Sequence, residues 1–333
     1  MAERVPTIYD VAEDAGVSIS TVSRALNAPE SVKPATRRRI MQAVERLHFV
    51  PKAEASAQAR KNIESIGVLL PFFTSPSFVQ RMRGVAAALA GTKFELIVYT
   101  VATQAQLDEY VDVIPLWRRL DGLLVMSMPL TDSQIRHMRS HRLEVVCVEL
   151  AHPQFSSVVV DNREGGKLAG RLLSAKGRRR CAFMGETGVP EHIIHLSDIR
   201  LQGFQDALHE AGHELPNARI SRRPYSKTGA EQQARELLTQ TPRPDAVFAY
   251  SDLHAGHVLR VAREMGIRVP EDLAVVGFDG TDLSEFLGLT TVDQSLDESG
   301  RRAAELLMGR IAGPERTTQT IRLPLRVVER FTT

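Results

Sequence analysis

The sequence predicts a two-lobed α/β protein with parallel sheets, preceded by a small all-α domain. Three observations carry that expectation. From residue 63 onward, short apolar runs alternate with helical stretches, the pattern of buried parallel strands joined by crossover helices. The expected strands, at 66–70, 94–99, 122–126, 144–148, 157–160, 181–184, 246–250, 274–278 and 323–328, are too many for one open sheet, so two similar lobes are expected. Residues 1–62, by contrast, show helical spacing and no strand pattern.

In the amino-terminal part, Ile8, Val11, Ala12 and Ala15 are spaced i, i+3, i+4, i+7, one apolar stripe on a helix. Thr7 stands where an N-cap belongs, and Gly16 stands where a helix end needs a left-handed residue. Ser18 can cap a second helix with Val22, Ala25 and Leu26 inside and Ile19, Ser20, Ser23 and Arg24 outside. A third helix starts near Pro34, a favoured first-turn residue, and turns Ile40, Val44 and Leu47 inward. Two short helices joined by a Gly-containing turn, then a supporting helix, form a helix-turn-helix pattern. The polar second helix suits the major groove of DNA. In the larger part, helices are expected near 78–90, 104–118, 132–141, 164–176, 198–211, 229–240, 252–265 and 296–310. Such lobes bind ligands beyond the carboxyl ends of their strands.

Composition sets the remaining bounds. The 333 residues hold 42 basic and 40 acidic side chains, a formal charge of +2. Residues 1–62 hold ten Lys/Arg against seven Asp/Glu, so a basic head precedes a slightly acidic body. Cys147 and Cys181 have no partner spacing and read as buried apolar side chains in a reducing compartment. There is no signal-peptide core at the N-terminus and no apolar run of membrane-spanning length, so a cytoplasmic protein without a membrane partner is expected. No Gly-x-Ser-x-Gly, Walker loop, post-strand GxGxxG or His-Glu-x-x-His occurs, which opposes an enzyme and leaves no metal or cofactor site to assign.

The segment TIYDVAEDAGVSISTVSRALN, continued by KPATRRRIMQAVERLHFVP, resembles the opening of the lactose-repressor (LacI/GalR) family of bacterial transcription factors. That resemblance implies base contacts from Ile19, Ser20 and Arg24. It implies phosphate contacts from Thr7, Tyr9, Ser18, Thr21, Ser23, Asn27 and Thr36. After Pro51 the Ala-rich stretch KAEASAQARKN has helical propensity but too few residues for an isolated helix. In the family this hinge folds on the minor groove and wedges a leucine between base steps. The wedge position holds Gln58 here, so either the amide reads the groove or the segment is a plain linker.

The larger part resembles the same family's periplasmic-binding-protein-like core through VVVDNREGGKLAGRLL, DIRLQGFQDAL, DAVFAYSDLHAGHVLRVAREMGIRVPEDLAVVGFDG and LTTVDQ. The resemblance implies an effector between the lobes and three crossovers joining them. The implied domains are 1–50 (helix-turn-helix), 51–62 (hinge) and 63–333. In the last, lobe 1 covers about 63–160 and 294–317, and lobe 2 about 161–293 and 318–333. Arg200 and Asp279 would clamp hydroxyls bidentately. Phe78, Ser251, Asp252, Ser127, Glu164 and Tyr225 complete the expected effector set. His192, His195 and Asp198 are distinctive neighbours of Arg200.

The expected function is a sequence-specific transcriptional regulator, a repressor. It would act as a homodimer through the helix near 78–90, on a pseudo-palindromic operator, gated by a sugar. A nucleobase-gated regulator would want an aromatic sandwich, for which Phe78 alone is placed. A transport-type binding protein is opposed by residues 1–62, and a sugar-modifying enzyme by the missing catalytic residues. The chain stops at Thr333 without a heptad helix, so a coiled-coil tetramer is not expected.

Overall fold

The computed structural model describes residues 6–27, 29–47, 49, 64–117, 119–313 and 317–333. The expected hinge at 51–62, with Gln58, lies outside these residues.

The head comprises α1 (Ile8–Asp14), α2 (Ile19–Asn27) and α3 (Pro34–Arg46). Its core is Val11, Ala12, Ala15, Val22, Ala25, Leu26, Ile40, Ala43 and Val44, with Val32 and Phe49 closing it. Leu47, expected inside, is half-buried at the C-cap of α3. The head meets the body along α5 (Gln104–Trp117), where Arg37 Nη1 lies 2.7 Å from Glu109 and Leu116 packs on the head core.

The body holds two six-stranded sheets. The first contains β1 (Glu64–Leu70), β2 (Phe94–Thr100), β3 (Gly122–Met126), β4 (Glu144–Val148), β5 (Ser156–Val159) and β11 (Thr320–Arg322), in the order β11-β5-β4-β3-β1-β2. Its layers include α4 (Pro76–Leu89), α5, α6 (Asp132–Ser140) and α12 (Leu296–Ala312). The second contains β6 (Cys181–Glu186), β7 (Ile220–Arg223), β8 (Ala246–Ala249), β9 (Ala274–Asp279), β10 (Thr290–Asp293) and β12 (Arg326–Val328), in the order β12-β10-β9-β8-β6-β7. It is covered by α7 (Asn162–Ala175), α8 (Leu196–Glu210), α9 (Lys227–Leu238) and α10 (Asp252–Glu264), with the short α11 (Asp282–Phe286) beside it. All pairings of these strands are parallel except β10 with β12. The chain passes between sheets three times: after β5, after β10, and between β11 and β12.

The third passage corrects two expectations. The strand expected at 323–328 is confined to β12 at 326–328 in the second lobe, and residues 320–322, expected in the second lobe, form β11 in the first. Pro324 cannot donate to a ladder. Leu323 is packed into the first lobe's core and Leu325 against the second's, so the apolar run spans both lobes. β7, β10 and α11 were not expected either. Both cysteines are buried and free, and burial pushes their thiols up to about 12.

Each lobe seats one close helix pair on glycines. A Cβ on Gly84 of α4 would lie 1.9 Å from the Asp297 carbonyl oxygen, and one on Gly300 of α12 would lie 1.9 Å from that of Arg81. In the second lobe, Gly166 of α7 and Gly203 of α8 meet backbone at 2.0 and 1.8 Å. Gly300→Val is therefore expected to destabilise the body by about 1–3 kcal/mol or more through overpacking. Urea unfolding checks this; an unchanged midpoint would show that the helices part without cost.

Candidate functional sites in the head and between the lobes

On α2 the buried face leaves Ile19 (40% exposed), Ser20 and Arg24 on the opposite side, facing solvent. Arg24 Nε donates to the Ser20 carbonyl at 3.3 Å, which lays the guanidinium along the helix. The Ser18 hydroxyl lies 2.7 Å from that of Thr21 and 2.9 Å from that of Ser20. Thr7 donates its N–H and its hydroxyl to Asp10, both at 2.6 Å. Tyr9 is 67% exposed, and Ser23 and Thr36 are half-buried. Asn27 ends α2, and its side chain lies outside the described set. One solvent face thus gathers uncharged donors, acceptors and one cation, the composition a groove-reading helix requires.

The second site lies where the carboxyl ends of the body's strands face one another. On the second lobe, Arg200 in the first turns of α8 is 2% exposed. Its Nε donates to Asn162 Oδ1 (2.9 Å), and its Nη1 donates to the Tyr250 carbonyl (2.6 Å) and to Asp279 Oδ1 (3.2 Å). The guanidinium carbon sits 3.6 Å from the centre of the Phe278 ring, a cation–π contact. Asp279 ends β9 at φ +111° and accepts Gln294 Nε2 at 2.8 Å. Burial pushes its carboxyl up to about 6 against the opposing pull of Arg200, and Glu149 across the cleft adds to the rise. Beside it, the Tyr250 hydroxyl donates to Glu186, whose pKa burial also raises.

On the first lobe, Ser127 and Glu149 follow β3 and β4 at φ +60° and +72°. The Ser127 hydroxyl donates to Glu149, and Arg81 Nη2 donates to the same carboxylate at 2.8 Å. The lobes touch on both flanks: Ile194 N–H donates to the Ser127 carbonyl (3.0 Å), and Asp282 N–H to Gln80 (3.2 Å). Arg83 spans them as well, 2.6 Å from both Asp282 and Asp297.

The structure brings together Arg200, Asp279 and Ser127 of the expected set. It does not bring Glu164 there: that side chain pairs with Arg171 at 2.9 Å on the outer face of α7, and Asn162, two residues earlier, holds Arg200 instead. Ser251 caps α10, its hydroxyl accepting His254 N–H at 3.3 Å. Asp252 is spent inside the lobe, accepting the Thr281 N–H and hydroxyl and the Thr291 hydroxyl at 2.6–2.8 Å. Phe78 packs in the first lobe's core, edge-on to the more exposed Phe72. Tyr225 stands half-exposed against His254, ring centres 5.3 Å apart. His192 is buried and His195 exposed; no metal-binding cluster occurs among the described residues. Arg81, Glu149, Gln294, Asn162, Tyr250 and Glu186 were missed. Asn162 and Gln294 lie inside stretches already noted, and Arg81 is marked only as a cation on the apolar face of α4.

Residues 7–52 match bacterial regulatory proteins of the lacI family, and residues 173–333 match the periplasmic binding protein-like domain. The chain is 32% identical to the HTH-type transcriptional regulator CelR of Thermobifida fusca, over 97% of this chain and 96% of the relative. The chain belongs to the lacI family. The HTH-type transcriptional repressor PurR of Erwinia tasmaniensis is 31% identical, over 97% and 96%. A solved CelR–cellobiose complex superposes with a TM-score of 0.70 at 30% identity, covering 98% of this chain and all of that one. A lacI-family regulator from Enterococcus faecium with bound ribose gives 0.70 at 29% identity, covering 81% and 98%. This lacI-family chain is a DNA-binding transcriptional regulator with an effector-binding core, in a family that is not enzymatic. No described helix is long and apolar enough to cross a membrane.

Proposed function

We propose that this regulator represses transcription as a homodimer on a pseudo-palindromic operator and is gated by a sugar-type, polyhydroxylated effector held between its lobes. The observation that carries the effector reading is the buried Arg200–Asp279 pair at the strand ends, a donor and an acceptor suited to vicinal hydroxyls. Relatives solved with cellobiose and with ribose support it. A nucleobase reading is weakened because Phe78 is committed to the core. In the head, Ile19, Ser20 and Arg24 read bases while Thr7, Tyr9, Ser18, Thr21, Ser23, Asn27 and Thr36 fix register on phosphates. Gln58 of the hinge reaches the minor groove. Pairing two heads doubles the half-site. The outer side of α4, where Val79 is 53% exposed, supplies the dimer face.

Effector binding that favours one lobe arrangement shifts the spacing of the two heads. The coupling is bounded by the effector's differential affinity, about 5–150-fold in operator binding. The test is fluorescence anisotropy on a duplex selected from a random library, with mono- and disaccharides and their derivatives added in turn. One of them is expected to shift operator affinity in wild type. Arg200→Ala is expected to keep operator binding and lose the response, since cutting one partner from a buried charge pair costs about 2–5 kcal/mol. An effector response that survives Arg200→Ala, or its absence from wild type across the panel, would overturn the proposal.

A further inference from the structure

Among the described residues Arg81 is the most deeply buried cation of the first lobe, 1% exposed, on the face of α4 that otherwise packs Phe78, Met82 and Val85 into the core. One nitrogen, Nη2, is held by Glu149. Its Nε and Nη1 are buried and have no hydrogen-bond partner among the described residues. A buried guanidinium with unmade hydrogen bonds is costly, and a ligand that supplied acceptors would recover that cost. Glu149 does not supply them: one of its oxygens accepts Nη2 and the other the Ser127 hydroxyl.

The facing wall has the opposite valence. Gln294 Oε1 is buried without a partner, while its amide nitrogen is spent on Asp279 Oδ1. Asp279 Oδ2 accepts no hydrogen bond among the described residues, because Arg200 and Gln294 both go to Oδ1. Arg81 and Ser127 both bond Glu149 at the carboxyl ends of β3 and β4, and the Ser127 carbonyl accepts the Ile194 N–H of the second lobe, so this cluster stands at the face between the lobes. Free donors therefore stand on the first lobe and free acceptors on the second. A neutral sugar offers hydroxyls to both walls alike. A polyhydroxy carboxylate fits the segregation, with its acid oxygens toward Arg81 and its hydroxyls toward Asp279 and Gln294.

We infer that the effector is a sugar acid and that Arg81 is the residue that selects its carboxylate. This rests on the cleft reading above and narrows it. A charge-assisted hydrogen bond from a fixed guanidinium gives a preference for the acid of about tenfold or more over the parent sugar.

Isothermal titration of the full chain with D-gluconate, D-glucuronate and D-galacturonate, each against its neutral parent sugar, tests it. At least one acid is expected to bind about tenfold tighter than its parent. Arg81→Met is expected to abolish that preference, and Arg81→Lys to keep part of it. The lysine variant, with melting curves of both, separates lost recognition from lost folding. Parents that bind as tightly as the acids, binding by none of the acids, or an unchanged preference in folded Arg81→Met would overturn the inference. Arg200→Ala separates the two readings. Acid binding that survives both Arg200→Ala and Arg81→Met would place the ligand outside the cleft and defeat both. Neutral-sugar binding that it abolishes, with Arg81→Met indifferent, would leave the cleft reading standing alone.

Discussion

Operator affinity of the protein is expected to fall about 10³–10⁵-fold between 50 and 200 mM salt, the loss that accompanies neutralising roughly 6–10 phosphates. The whole-chain charge of +2 gives no hint of this. The dependence comes from placement: a basic head, hydroxyls at the start of α2, and Arg24 on its solvent face. The contacts divide by what they can read. Ser18 and Thr21 bond one another and present hydroxyls suited to phosphate, whereas Arg24 can turn both guanidinium forks to a guanine edge. Arg24→Ala is therefore expected to cost about 1–3 kcal/mol on the preferred operator and little on other sequences, leaving the salt slope nearly unchanged. Filter binding or anisotropy across a salt series, on selected and scrambled duplexes, checks both parts. A flat salt response would defeat the phosphate assignments. A uniform loss across sequences would demote Arg24 to a backbone contact.

The head was readable because its burial is one-sided and periodic. Val11, Ala12, Val22, Ala25, Leu26, Ile40 and Val44 are all buried where a 3.6-residue period puts them. The body's central strands were readable as apolar runs. The strands that escaped notice are polar or lie at sheet margins. β7 reads ISRR and β11 reads TIR. β10 reads TTVD and is fully buried, but Thr290 and Thr291 are satisfied through bonds to Thr333 and Asp252, which no hydropathy pattern records.

The same reason divides the candidate effector site. Arg200 and Asp279 are legible because a charge at a helix start or strand end near a topological crevice is an informative signal. Ser251 and Asp252 share that signal, yet their local chain consumes them, one as a helix cap and the other as a clamp on Thr281 and Thr291. Glu164 failed by register: on α7 the inward position is Asn162. Arg81 was invisible because its partner Glu149 lies 68 residues away in sequence.

His254 is expected to set the acid limit of the second lobe. It is 2% exposed on α10, its Nδ1 lies 2.9 Å from the Ser251 hydroxyl, and its ring centre is 4.6 Å from that of Tyr250. Burial, with a smaller repulsion from His257, holds the imidazole down at about 3, against an ordinary value near 6.5. The sign follows from proton binding. Between these values the unfolded chain takes up a proton that the folded one refuses, so the stability due to neutral His254 is complete above 6.5 and is lost as pH falls toward 3. Between pH 7 and pH 4 the loss amounts to roughly 3 kcal/mol. Two buried acids act in the opposite sense over an overlapping range. Burial raises Asp252 to about 7 and Asp279 to about 6, so each contributes stability that is present in acid and lost as pH rises. The wild-type curve sums these opposing effects, whereas the difference between wild type and His254→Gln largely cancels the aspartates, whose shifts come chiefly from burial. Urea unfolding of both proteins at pH 7 and pH 4 is expected to show the variant losing roughly 3 kcal/mol less than wild type. Equal losses would mean that His254 is protonated in the folded lobe, with the Ser251 hydroxyl and the Tyr250 ring supporting the imidazolium.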